Sequence, residues 1–110
     1  MKLEYLKTAE VGVRWFGSYY RRNPQLNTRK AVAALRAAEA SLLEFPMTGV
    51  KLEGFEVVRE KNIAGTAFSL LYTVQFDTVF VIDLRDQRGH RSAEALSQFV
   101  RELRQRGLLT

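Results

Sequence analysis

The chain has no cysteine, only two prolines and a single histidine. Without cysteine there is no disulfide and no thiolate metal site, and one histidine does not build a zinc cage, so the fold must be held by its packed core. Long hydrophobic runs are also missing. None approaches the roughly 18–20 residues of a membrane span, and the opening "MKLEYLKTAE" lacks the apolar stretch of a signal peptide. A cytoplasmic location with no membrane partner is the expectation. A Walker-type phosphate loop, an HExxH pair and a Gly-x-Ser-x-Gly elbow are absent as well, which removes most of the weight from hydrolase and nucleotide-hydrolysing readings. No metal and no cofactor is expected.

What is present fits one domain over residues 1–110: 46% of the residues are hydrophobic and 11% aromatic, enough to bury a modest core. Seventeen Lys and Arg against twelve Asp and Glu leave a net charge of +5. That excess favours an anionic partner, nucleic acid or an acidic protein, without choosing between them.

Hydrophobic spacing sets the expected elements. "KLEYLK" alternates and reads as a strand over about 2–7. Thr8 is placed to cap a helix over about 9–22, whose Trp15, Phe16, Tyr19 and Tyr20 recur at helical spacing with Gly12 on the same face. That spacing marks them as core, Trp15 included, rather than a base-stacking platform, which would sit on a sheet face. Pro24 breaks the pattern, and Asn27 and Thr28 offer a new cap for a helix over about 28–44. Its stripe of Ala31, Leu35, Ala38, Leu42 and Phe45 suits close packing in a helical hairpin. "FPMTGVKLEG" reads as turn and extended chain. Strands are expected near 56–62, 67–74 and 78–85, the last two central and joined by a tight hairpin at "QFD". Ser92 caps a final helix carrying Leu96, Phe99, Val100 and Leu103, with Gly107 as its stop. The resulting class is α+β, in the order β-α-α-β-β-β-α, with the helical hairpin packed on a mainly antiparallel sheet and a C-terminal helix.

Chemistry concentrates in "DLRDQRGHR", residues 83–91, where three arginines, two aspartates and the only histidine follow an apolar strand. Two readings stand side by side. Arg85, Arg88, Arg91 and His90 form an anion-binding patch at a strand end, or the stretch is a solvated exit in which Asp83 and Asp86 pair locally with arginines. His90 is a general acid or base only if a partner positions it. In "VREKN", Arg59 and Lys61 share one strand face and are expected to join Arg85 and Arg88 on one concave side of the sheet, or else to protect an edge strand by charge. Arg21, Arg22, Arg29 and Lys30 flank the helix–helix turn as a solvated tip or a dock for an acidic surface.

The order of elements and the stretches "VRWFGSYYRRNPQ", "LLEFPMTGVKLEG", "VRE", "FSLLYTV" and "FVIDLRDQRG", together spanning about 11–89, resemble the RelE/ParE superfamily of bacterial type II toxins. "DQRG" is similar to a plasmid-stabilisation subgroup. The resemblance implies a toxin neutralised by a cognate antitoxin, acidic and folding on binding, with either DNA gyrase or the ribosome as target. In the ribosome-dependent mRNA endonucleases an arginine in an "RLVY"-like stretch helps to hold the scissile phosphate. Here "FSLLY" carries Ser69 at that place, and a serine offers no bidentate cation. The lead expectation is therefore a ParE-like growth inhibitor acting on gyrase. The alternatives are a nuclease in which His90, with Tyr72 or the arginines, substitutes for the usual groups, and a decayed homologue that only binds the antitoxin.

Overall fold

The computed structural model describes residues 1–86 together with Arg101 and Gln105. Of the helix expected after Ser92 only Arg101 and Gln105 are among them, both helical; the rest of it lies outside the described residues, as do Arg88, His90 and Arg91.

The elements follow the order β1 (Lys2–Tyr5), α1 (Ala9–Arg22), α2 (Thr28–Glu44), β2 (Val50–Leu52), β3 (Phe55–Asn62), β4 (Phe68–Gln75) and β5 (Thr78–Asp86). This is the expected α+β arrangement with one strand more: β2 lies in the stretch read as turn and extended chain. Its three residues are too few to show alternation, and pairing with β3 is what makes them a strand. The sheet order is β1-β5-β4-β3-β2, with β1 parallel to β5 and every other pair antiparallel.

Both helices form where their apolar stripes predict. Asn27 caps α2 by accepting from the Lys30 N–H at 3.0 Å. Thr8 does not cap α1. Its backbone is already helical, and its hydroxyl instead donates to the Ile82 carbonyl at 2.8 Å, which ties the start of α1 to β5. Gly12 makes the contact close: a Cβ there would stand 2.1 Å from Asp83 Oδ1 and 2.7 Å from the Leu84 N atom. Phe16 and Tyr20 are buried on the core side, and the Phe16 ring meets Phe68 edge-on at 5.0 Å. Trp15 is partly buried and packs against this cluster, in line with its expected place on the core side of the helix. From α2, Ala31, Leu35, Ala38 and Leu42 are buried as expected. Phe45 is 56% exposed, because the helix ends at Glu44 and the non-helical backbone of Phe45 leaves the stripe.

The hairpin between β4 and β5 turns on Phe76 and Asp77, both at positive φ (52° and 56°), a two-residue turn whose twist matches the flanking strands. The helix-side face of the sheet presents Leu70, Tyr72, Val81 and Leu84 to the main core, whereas Val58, Leu71 and Ile82 form a second, fully buried cluster.

Candidate basic surfaces of the sheet

Which cations share a face is decided by register. Arg59 pairs with Tyr72 and Lys61 with Leu70, so both belong to the helix-side face. Between β4 and β5 the register runs Thr73↔Phe80 and Tyr72↔Val81, then slips by one, so that Leu71 faces Asp83 and Ser69 faces Arg85. Ile82 is the extra residue of this bulge. Without it Arg85 would oppose Phe68 and lie on the helix side; a one-residue slip exchanges the faces of all that follows. Arg85 therefore lies on the face opposite Arg59 and Lys61, and the expected gathering of these cations on one concave side does not occur.

Each cation has its own setting. Arg59 Nη1 donates to the carbonyls of Gly49 at 2.8 Å and Met47 at 3.3 Å. The fully buried Tyr72 works on the same turn: its hydroxyl accepts from the Gly49 N–H and donates to the Pro46 carbonyl, each at 2.8 Å. Burial raises the Tyr72 phenol above its ordinary pKa, against the lowering effects of the Gly49 N–H and the Arg59 charge. Gly49 is required here, since a Cβ would come within 2.4 Å of the Tyr72 hydroxyl. Arg59 and Tyr72 thus lock the α2–β2 connection. Lys61 is half-buried.

On the opposite face, Arg85 Nη1 makes an ion pair with Glu60 Oε2 at 3.8 Å, both side chains 27% exposed. Arg85 Nε is buried and has no hydrogen-bond partner among the described residues. Beside it, Ser69 is fully buried and its hydroxyl donates to Asn62 Oδ1 at 2.9 Å. Asp83 and Asp86 are buried, at 1% and 9% exposure. The solvated-exit reading is wrong for these two carboxylates, which belong to the packed end of β5. Burial of such groups costs heavily unless they are partnered.

Further polar features had no signal in the sequence. The Tyr5 hydroxyl donates to Glu39 Oε2, and Arg36 pairs with Glu39 at 2.8 Å. Burial first, then the hydrogen bond and charge of Glu39, hold the Tyr5 phenol far above its ordinary pKa. These residues join β1 to α2 across 34 positions of chain, a separation no local pattern reveals. Arg21, Arg22, Arg29 and Lys30 are all exposed around the helix–helix turn.

Two grooves border the helical hairpin. One, about 620 Å³, is lined by Tyr5, Leu6, Val13 and Leu35 with charged neighbours; the other, about 860 Å³, lies between Tyr19, Tyr20, the alanines of α2 and the β3–β4 turn. Among the described residues no three His, Cys, Asp or Glu side chains stand together as metal ligands, and no helix is long and apolar enough to cross a membrane. The described surfaces can bind anions and apolar groups. No protein-family model matches the chain, and a search of curated proteins gives no match.

Proposed function

We propose that the protein is the toxin of a type II toxin–antitoxin module, a ParE-like growth inhibitor in the cytoplasm that acts by binding DNA gyrase and is neutralised by an acidic antitoxin that folds on binding. The reading includes the C-terminal helix of the β-α-α-β-β-β-α order. The observation that carries it is Ser69. The place at which the nuclease branch holds the scissile phosphate with arginine is here a fully buried serine whose hydroxyl is bonded to Asn62, and such a group adds no cation to a transition state. The charge of +5 suits an acidic neutralising partner, and the grooves beside the helices are apolar seats for a segment that orders as it binds.

One observation favours the ribosome-dependent endonuclease instead. Arg85 stands directly across from Ser69, and its Nε has no hydrogen-bond partner among the described residues, so a guanidinium is one strand away from the missing arginine. The two readings separate in a growth assay under inducible expression. The binding toxin expects the combined Arg85→Ala and Arg88→Ala change to relieve growth arrest and His90→Gln to leave it intact, because imidazole titration plays no part. Arrest abolished by His90→Gln, with folding and antitoxin binding retained, supports the nuclease. No arrest from the unmodified chain leaves only the decayed, antitoxin-binding homologue.

A further inference from the structure

Outside one stretch, the cations and acids of this chain nearly balance. From Val11 to Ala38 there are six Lys and Arg and no Asp or Glu, which leaves eleven cations against all twelve acids in the rest of the sequence. The net charge of +5 therefore belongs to the helical hairpin. Four of the six, Arg21, Arg22, Arg29 and Lys30, are exposed around its turn, and none of the four makes an ion pair with a described residue. Arg21 and Arg22 close the last turn of α1, where a helix favours cations. Arg29 and Lys30 open α2, whose first turn has no acid, and there they oppose the positive end of the helix dipole. Helix stability does not explain that placement. The turn between the helices is ordered: the Leu26 N–H donates to the Asn23 carbonyl at 2.9 Å, the Asn23 amide donates to the Tyr19 carbonyl at 2.7 Å, and Asn27 caps α2.

From this we infer that the tip of the α1–α2 hairpin binds the phosphate backbone of duplex DNA without reading its sequence. Cations from two helix ends each neutralise a phosphate and release its counterions, and the exposed amide of Gln25 is a further donor to the backbone. Chemistry selects the occupant. Single strands are held on aromatic platforms, but the tip exposes no aromatic ring: Tyr19 and Tyr20, next to it in α1, pack on each other and on Phe68. A protein partner needs an apolar centre to its interface, whereas Leu26, 38% exposed, is the one large hydrophobic side chain that residues 21–30 present. The choice of DNA over other duplexes rests on the gyrase reading, because that target works on duplex DNA.

The test adds the full chain to a short fluorescent DNA duplex in the absence of gyrase. Anisotropy is expected to show binding that is indifferent to base sequence and weakens about a hundredfold between about 50 mM and about 200 mM salt, as four phosphate contacts require. Combining Arg21→Gln, Arg22→Gln, Arg29→Gln and Lys30→Gln lowers the affinity at low salt by about tenfold or more. The same loss of charge at the exposed Lys2, Lys7, Lys51 and Arg101 lowers it by about threefold or less. Amide NMR of the unmodified protein places the shifts at 21–30, which decides the matter even if the tip variant folds poorly. Absence of binding at low salt, equal losses in the two variants, shifts confined to other elements, or tighter binding of an RNA duplex, a single strand or polyglutamate would overturn the inference. Supercoiling inhibited by a chain that does not bind the duplex overturns it and leaves the gyrase reading standing. Duplex binding at the tip with supercoiling untouched supports it and removes the gyrase reading.

Discussion

Tyr72 shows how much of the fold depends on one hydroxyl. It is fully buried in β4, yet its oxygen bridges the Gly49 N–H and the Pro46 carbonyl, and Arg59 bonds the Gly49 and Met47 carbonyls beside it. Tyr72→Phe keeps the ring and removes both bridges, stranding a backbone donor and acceptor. A loss of about 1–3 kcal/mol follows from the desolvation of unpaired groups, to be read from urea unfolding of variant and parent. A change within a few tenths of a kcal/mol would mean that water replaces the hydroxyl and that the turn is not held from β4. Nothing in "FSLLYTVQ" announces this role, because the partners lie 23 and 26 residues away. The tyrosine's apolar setting was legible; its polar task was not.

At the scale of elements, periodicity located α1 and α2 at their observed bounds, since each has a stripe several turns long and α2 has a working cap in Asn27. Thr8 was misread because a hydroxyl before a helix has competing acceptors, and the Ile82 carbonyl supplied one. The placement of Arg59 and Arg85 failed for a different reason. Alternation tells which residues of one strand share a face, but faces of separate strands are related only through register, and the bulge at Ile82 reversed that relation. A trace of the bulge is present in "VFVIDL", where Val79, Val81 and Leu84 all reach the main core at an odd spacing. The α1–β5 contact rests on Gly12. Gly12→Ala gains about 1 kcal/mol of helix propensity but drives a methyl group into the buried Asp83 carboxylate and the Leu84 backbone, and the backbone is not free to move as a flexible side-chain end would be. A net loss of about 1–3 kcal/mol is expected from such overpacking. Thermal unfolding checks it, and an unchanged or raised midpoint would show that α1 stands further from β5.

At the scale of the molecule, positive charge among the described residues is divided rather than focused. Arg59, Lys61 and Lys51 lie on one face at the β2 edge, Arg85 lies on the other, and the exposed Arg21, Arg22, Arg29 and Lys30 lie around the helix–helix turn. A flat partner engages one of these groups at a time, whereas a flexible acidic chain can wrap around several. This division separates Arg59 from Arg85 as members of one catalytic pocket. The central proposal is that the chain acts by binding a type II topoisomerase, without cutting RNA. It is tested most directly by adding the purified chain to DNA gyrase with relaxed plasmid, and in parallel to ribosomes translating a defined mRNA. The account predicts loss of supercoiling with the mRNA intact, and restoration of supercoiling by the antitoxin. Undiminished supercoiling together with cleaved ribosome-bound mRNA would contradict it.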